Sequence, residues 1–216
     1  MVTIPLELHD SILIDQMAGS KDSYITCDHV ELQETKYNLI NITMEKMRSI
    51  YQFKNNFSIN IHKEIPICAG LGGGSSNSAA FMKALDHILK LKMTQDEMIS
   101  LGSTIGADVP FCIVNKPARV QGIGEKVEVL PFKIRYSVLI IKPQIGLSTK
   151  KVFDALDDNV TIHGNVEQLL EALKKNDEAL LEKSLFNSFE NISSKMVPEI
   201  LSIKEMLKND GLKLNL

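Results

Sequence analysis

The densest group of chemically capable residues is a glycine-rich run, Gly70-Leu71-Gly72-Gly73-Gly74, followed directly by Ser75 and Ser76. Glycines let the backbone approach a ligand closely and adopt positive φ angles. An amphipathic pattern begins at about Ser76 and predicts a helix, whose N-terminus would offer unpaired N–H groups and the positive end of the helix dipole. Serine hydroxyls can hydrogen-bond a phosphate or contact a magnesium ion. The run therefore predicts a phosphate-binding loop.

The spacing of this loop excludes the best-known phosphate-binding motifs. A P-loop requires a lysine after its last glycine, and no lysine lies in the run. A dinucleotide-binding fingerprint counted from Gly70 requires a glycine where Ser75 stands. The Val-Ala-Ile-Lys and His-Arg-Asp motifs of protein kinases are absent. A flexible surface turn before a helix stays open as an alternative, because consecutive glycines also suit a turn.

A second candidate for chemistry is Asp108, in the segment Ile105-Gly-Ala-Asp-Val-Pro-Phe111. We expect this segment to form a turn after a helix, because it contains both a glycine and a proline. In a phosphoryl transferase, a carboxylate near the acceptor hydroxyl orients that hydroxyl and takes its proton. The alternative is that Asp108 only caps the turn, which is a common use of aspartate.

The glycine-rich loop resembles the second signature motif of the GHMP kinase family, which includes galactokinase, homoserine kinase and mevalonate kinase. The proline, the glycines, the paired serines and the alanine pair Ala79-Ala80 stand in the family's order. The resemblance implies ATP and Mg²⁺ as cofactors, with Ser76 as a candidate ligand of the metal. It further implies that ATP is bound by Pro66, Ile67, Cys68, Ala69, Gly70, Leu71, Gly72, Gly73, Gly74, Ser75 and Ser76.

Further segments resemble one branch of that family, which phosphorylates a cytidine diphosphate-linked polyol in non-mevalonate isoprenoid biosynthesis. The triple glycine with Ser-Ser-Asn and the Gly-Ala-Asp-Val-Pro-Phe segment are typical of this branch, so the resemblance implies that Asp108 is the catalytic base. The turn Gly122-x-Gly-Glu125 and the segment Lys142-Pro-x-x-Gly-x-Ser-Thr149 match the same branch. By that resemblance Thr149 and Phe153 lie near the cytidine-bearing substrate, while a core position is the alternative for Phe153.

The resemblance implies an α+β fold of two lobes. These are a ribosomal S5-like N-terminal lobe over residues 1–145, which binds nucleotide, and a ferredoxin-like C-terminal lobe over residues 146–216. We expect the fold to be incomplete at both termini, because the family's first strand, which carries an active-site lysine and asparagine, and its last glycine-rich motif have no counterpart here. Three hypotheses stay open: a kinase of this branch, an inactive truncated remnant that binds nucleotide, and a GHMP kinase for another small alcohol.

Hydrophobic periodicity predicts the elements that must position these residues. Four consecutive apolar residues, Val138 to Ile141, predict a buried strand, and Thr94 with Glu97 has the spacing of a helix capping box. Ser148 or Thr149 can cap a short helix that runs to Leu156. The mixture of elements also predicts an α+β fold. Strands are expected over 2–8, 11–15, 24–27, 57–61, 118–121, 127–130 and 137–142, and helices over 36–51, 76–91, 94–106, 166–175, 178–185 and 198–208.

Composition narrows the class of protein. The 216 residues are 44% hydrophobic and 24% charged, which is ordinary for a globular protein. The net charge is −3 and no basic stripe is present, which argues against a nucleic-acid partner. Three cysteines without Cys-x-x-Cys spacing argue against a disulfide framework or a zinc site. With no signal-peptide pattern and no apolar stretch of membrane-spanning length, we expect a cytoplasmic monomer or homodimer that acts on a small molecule.

Overall fold

The computed structural model describes residues 1–19, 21–29, 38–147, 152, 154–155, 163–212 and 214. The chain divides into two compact units: Met1, Thr3–Pro66 and Leu71–Leu130 form the first, and Val2, Ile67–Gly70 and Pro131–Leu216 form the second. The mixture of helices and strands confirms the predicted α+β class. The first unit ends at Leu130, whereas the sequence predicts a boundary between two lobes at residue 145. The boundary between the lobes stays a prediction.

Two three-stranded sheets lie among the described residues. One has the strand order β1-β5-β6, and the other has the order β2-β4-β3, with β4 antiparallel to β2 and parallel to β3. The strands are β1 Val2–Thr3, β2 Ser11–Met17, β3 Tyr24–Cys27, β4 Asn56–His62, β5 Ala118–Gln121 and β6 Lys126–Val129. The first strand is shorter than the predicted 2–8 because Pro5 has no N–H group for a strand ladder.

Four helices complete the described part of the first unit: α1 Leu39–Tyr51, α2 Gly73–Leu89, α3 Gln95–Ser103 and α4 Val109–Val114. The core lies where these helices meet the alternating apolar side chains of β4, Phe57, Ile59 and Ile61, all of which are buried. A buried hydrogen bond of 2.6 Å joins the hydroxyls of Thr43 on α1 and Ser78 on α2. These contacts fix the position of α2, which follows the glycine-rich loop.

The N-terminus of α3 is defined by local hydrogen bonds. Thr94 accepts a hydrogen bond from the Glu97 N–H, and the Glu97 carboxylate accepts one from the Thr94 N–H at 2.7 Å, which confirms the predicted capping box. The spacing of apolar residues also predicts that Ala80 lies on the apolar face of α2 with Leu85, Ile88 and Leu89. That prediction is wrong for Ala80, which is exposed, and its neighbour Ala79 is buried in the core instead.

The described part of the second unit contains helices Val166–Lys175, Glu178–Ser184, Glu190–Met196 and Glu199–Asn209. Three of these agree with the predicted helices. The helix Glu190–Met196 has no counterpart among the predictions, because only two of its side chains, Ile192 and Met196, are apolar and they show no clear period. Asn165 and Asp177 cap the first two helices with their side chains, as is usual for these residue types.

The predicted buried strand at 137–142 is wrong. The structure has no strand there, and Val138 and Leu139 are 51% and 71% exposed. An apolar run indicates a tendency to be buried, but a strand forms only where a neighbouring strand accepts its hydrogen bonds. None of the described strands pairs with this segment. The predicted short helix that Ser148 or Thr149 would cap lies largely outside the described residues.

In the part of the chain that the structure describes, no helix has both the length and the apolar character to cross a membrane.

Candidate active site

The glycine-rich loop enters α2 through backbone conformations that favour glycine. Gly70 and Gly72 have φ angles of +69° and +65°, a region that residues with a Cβ adopt only under strain. Gly72 is the N-cap of α2, and the Ser76 N–H donates to its carbonyl at 2.8 Å. Because no side chain caps this end, the first amides of the helix are left for another acceptor. The helix starts at Gly73, slightly earlier than predicted.

Gly73 allows the chain before the loop to pack directly against the first turn of α2. A Cβ atom at this position would lie 3.1 Å from Cγ2 of Ile65 and 3.3 Å from Nζ of Lys63. Gly74 has more space, since the nearest atom to its Cβ position is Cδ1 of Leu39 at 3.7 Å. Glycine is therefore favoured at Gly73 because neighbouring side chains lie close, and at Gly70 and Gly72 because their φ angles are positive.

Asp108 lies between α3 and α4, at the N-cap position of α4. Its side chain makes no capping hydrogen bond, so the structure does not support the alternative that it serves only as a cap. Its Oδ2 atom lies 3.9 Å from the position that a Cβ atom of Gly72 would occupy. The structure thus brings an exposed carboxylate next to the N-terminus of α2, although the two are distant in the sequence.

The backbone that carries Asp108 is held by close packing of α3 and α4. Gly102 on α3 is buried, and a Cβ atom there would lie 2.8 Å from Cδ1 of Ile113 and 2.9 Å from Cγ1 of Val109. The absence of a side chain at Gly102 therefore lets α4 lie directly on α3. Val109 is fully buried, which anchors α4 one residue after the carboxylate.

The hairpin between β5 and β6 supports the same turn from another direction. Gly124 has a φ angle of +114°, and a Cβ atom there would lie only 1.9 Å from the backbone oxygen of Ala107. No side chain fits at that distance, so the hairpin backbone rests directly on the residue before Asp108. The Ile123 N–H donates to Oε2 of Glu125 at 2.8 Å and stabilises the hairpin turn. The sequence alone identifies Gly122-x-Gly-Glu125 as a segment that resembles the family, but it does not predict the contact between Gly124 and Ala107.

Asp10 is a site residue that sequence reasoning missed. Its carboxylate accepts hydrogen bonds from the backbone N–H groups of Glu64 at 2.9 Å and Ile65 at 2.8 Å, and from Nδ2 of Asn77 at 2.9 Å. It also forms an ion pair with Lys63. Burial by itself would raise the pKa of Asp10, but the hydrogen bonds from Lys63 and its other donors outweigh burial and lower that pKa. No local pattern marks this aspartate, because its partners lie far along the chain.

Cys112 lies one helical turn after Asp108, and its N–H donates to the Asp108 carbonyl at 3.1 Å. Burial, followed by the negative charge of Asp108, raises the pKa of the Cys112 thiol to about 11, while Lys83 acts in the opposite direction. A thiol of that pKa is protonated at neutral pH, so Cys112 is not a nucleophile for this site. Cys68, in contrast, is exposed.

Of the other predicted nucleotide-binding residues, Pro66 and Leu71 belong to the first unit, and Ile67, Cys68 and Ala69 belong to the second. In the second unit Cys68 has a φ angle of +53°, and its carbonyl accepts a hydrogen bond of 3.2 Å from the Leu147 N–H. Thr149 and Phe153, the predicted substrate-binding residues, lie outside the described residues. Among the residues described, no group of three or more His, Cys, Asp or Glu side chains could hold a metal ion. The predicted role of Ser76 as a magnesium ligand stays a prediction.

Residues 38–116, which include the glycine-rich loop and Asp108, match the family of GHMP kinase N-terminal domains. Over 215 residues the chain is 33% identical to the 4-diphosphocytidyl-2-C-methyl-D-erythritol kinase of Clostridioides difficile (strain 630), covering 98% of this chain and 72% of that enzyme. Over 211 residues it is 35% identical to the kinase of the same name from Limosilactobacillus reuteri (strain DSM 20016), covering 98% of this chain and 75% of that enzyme.

Solved structures share the fold. A crystal structure of 4-(cytidine 5'-diphospho)-2C-methyl-D-erythritol kinase aligns with a TM-score of 0.69 and 24% identity, over 94% of this chain and 71% of that one. Homoserine kinase from Cytophaga hutchinsonii aligns with a TM-score of 0.64 and 19% identity, over 81% of this chain and 62% of that one. At these identities the two structures are compared for fold alone.

Proposed function

Since the chain belongs to the GHMP kinase family, we propose that it transfers the γ-phosphoryl group of ATP to the 2-hydroxyl of 4-diphosphocytidyl-2-C-methyl-D-erythritol. One observation carries this proposal beyond the family: the Asp108 carboxylate lies beside the N-terminus of α2, 3.9 Å from the Cβ position of Gly72. A base for the acceptor hydroxyl and a cradle for the phosphates would then be neighbours. The identity of 33% to 35% with kinases of this substrate supports the choice of acceptor.

The loop has the groups needed to bind the phosphates of a nucleoside triphosphate. The uncapped first amides of α2 and the hydroxyls of Ser75 and Ser76 would hold the phosphates, and Ser76 would contact Mg²⁺. ATP supplies the transferred group, and Mg²⁺ neutralises charge on the phosphates when both are bound. In the same proposal the loop residues Pro66 to Leu71 complete the nucleotide site, while Thr149 and Phe153 contact the cytidine-bearing substrate.

Asp108 would act on the acceptor alcohol. Its carboxylate accepts the proton of the hydroxyl while the hydroxyl oxygen forms a bond to the γ-phosphorus, and the bond to the β-phosphate oxygen breaks to release ADP. Close packing at Gly102 and Gly124 would hold the backbone of the Asp108 turn, and the Asp108 side chain is not used in a capping hydrogen bond. Such fixed placement matters because phosphoryl transfer depends mainly on positioning and electrostatics.

The test is an ADP-release assay on the purified chain with three acceptors in turn: 4-diphosphocytidyl-2-C-methyl-D-erythritol, homoserine and mevalonate. We expect turnover only with the cytidine diphosphate-linked polyol, and ³¹P NMR of the product should show a new phosphomonoester. Asp108→Asn should reduce kcat by about 10²- to 10⁴-fold, the range for loss of a general base. Asp96→Asn, which changes an exposed aspartate in the first turn of α3, should retain full activity.

Two results would contradict the proposal. Faster turnover with homoserine would favour a GHMP kinase for another small alcohol. Binding of ADP without turnover of any acceptor would favour the nucleotide-binding remnant.

A further inference from the structure

The carboxylate of Asp10 joins the two sides of the glycine-rich loop. Before the loop, it accepts hydrogen bonds from the N–H groups of Glu64 and Ile65 and pairs with Lys63. After the loop, it accepts a hydrogen bond from the side chain of Asn77 on α2. A single carboxylate therefore links the exit of β4 to the helix whose N-terminus forms the proposed phosphate cradle.

This network is buried, unlike an ordinary surface ion pair. The Asp10 side chain is 0% exposed and the Lys63 side chain is 8% exposed. An exposed pair contributes little, whereas removing one partner of a buried pair leaves an uncompensated charge in a poorly solvated site. All the donors named above converge on the two oxygens, so the charge of Asp10 is fully compensated where it lies.

The same network touches the first turn of α2. Nζ of Lys63 lies 3.3 Å from the Cβ position of Gly73, and Ile65, whose N–H donates to Asp10, lies 3.1 Å from that position through its Cγ2 atom. Movement of Asp10 or Lys63 would therefore be transmitted directly to the residues that begin the helix. Asn77 is buried on the next turn of α2, which extends the connection along the helix.

We propose that Asp10, Lys63 and Asn77 form a clasp that holds the glycine-rich loop in its nucleotide-binding conformation, with Asp10 as a positioning residue for ATP. The inference rests on the proposed function, because ATP is the ligand that the loop would hold. A loop that is already ordered does not lose conformational freedom when the ligand binds, so the clasp increases nucleotide affinity. None of the three side chains needs to contact the nucleotide for this effect.

The test compares Asp10→Asn with Asp28→Asn on the full chain. The first variant keeps the shape of the side chain but removes the charge that compensates Lys63. The second is a matched control, since Asp28 also accepts a hydrogen bond from Lys63, through its backbone N–H at 3.0 Å, but its side chain is 43% exposed. Calorimetric titration with Mg·ADP should show a Kd about tenfold higher for Asp10→Asn and unchanged for Asp28→Asn.

Two further readouts separate a positioning role from a merely structural one. In turnover, Asp10→Asn should raise the KM for ATP and leave the KM for the acceptor unchanged. In hydrogen–deuterium exchange without ligand, peptides over residues 66–76 should exchange faster, while peptides over α1 should not change. A lowered melting temperature with unchanged Kd, KM and loop exchange would overturn the clasp.

A milder variant keeps the inference testable if Asp10→Asn does not fold. Asn77→Ser removes only the donor on α2 and leaves no unpaired charge, so we expect about a threefold rise in Kd and faster exchange at the loop. Failure of the wild-type chain to bind Mg·ADP would count against the proposed function, while the exchange readout would still decide on the clasp. Unchanged loop exchange in both Asp10→Asn and Asn77→Ser would refute it.

Discussion

The sequence makes a clear structural prediction for the loop at residues 70–76 and for the apolar run at residues 138–141, but only the prediction for the loop is confirmed. The loop leads into a helix as predicted, and neighbouring side chains lie as close as 3.1 Å to a Cβ position at Gly73. The apolar run forms no strand, and Leu139 is 71% exposed. Glycine conformations and helix starts depend on residues nearby in the sequence, so a short motif is enough to predict them. A strand also needs a partner strand from elsewhere in the chain, which a short apolar run does not reveal.

The comparison is tested most strongly by truncating one leucine in the helix that follows the loop and one leucine in the apolar run. Leu85 on α2 is fully buried in the core, whereas Leu139 is mostly exposed. We expect Leu85→Ala to lower the free energy of unfolding by about 2–5 kcal/mol, because it removes buried contacts and leaves a cavity. Leu139→Ala should change it by less than about 0.5 kcal/mol. Urea unfolding followed by circular dichroism measures both, and a comparable loss in the two variants would mean that residues 138–141 are buried in solution.

The next test concerns the contact between Gly124 and Ala107. Gly124→Ala would force a methyl group against the Ala107 backbone, which should displace Asp108 and reduce kcat by about 10²-fold, as misplacement of a catalytic group does. Gly19→Ala is the matched control, because Gly19 also has a positive φ of +75° but no described atom lies within 4 Å of its Cβ position. The control adds similar backbone strain without a clash. Steady-state turnover measures both variants, and equal activity would show that the hairpin does not hold the Asp108 turn.

Much of the first unit could be predicted from the sequence because its signals are local. The capping box at Thr94 and the helix after the glycine-rich loop depend on residues within one or two turns. The alternation of apolar residues in β4 is also a local signal, and here β2 and β3 supply the strand partners that residues 138–141 lack. The family and the fold class were predicted from motifs and are confirmed. Asp10 and the Gly124 contact could not be predicted, because both depend on pairs of residues that only the folded chain brings together.

A smaller effect is expected in the pH dependence of stability, which probes the buried clasp. The pKa of Asp10 is lowered in the folded chain, so ionised Asp10 stabilises the fold at pH values above its unfolded pKa. That contribution is lost as the pH falls through the unfolded and then the folded pKa. Wild-type stability should therefore fall more steeply below about pH 5 than that of Asp10→Asn, which has no carboxylate to protonate at this position. Parallel curves from urea unfolding between pH 6 and pH 3 would contradict a stabilising role for the ionised Asp10.

The smallest expected effect is a difference in the labelling rates of the cysteines, which measure how exposed the thiols are in the loop and beside Asp108. Cys68 is exposed, Cys27 is buried, and burial with the charge of Asp108 raises the pKa of Cys112 to about 11. Iodoacetamide reacts with thiolates, so at pH 8 we expect Cys68 to be labelled well before the other two, as peptide mass spectrometry would show. Bound Mg·ADP should slow labelling of Cys68 without changing that of Cys112, because only the first lies in the proposed nucleotide loop. If Cys112 were labelled first, α4 would have to open more readily than the loop, which would contradict the close packing of α4 on α3 at Gly102.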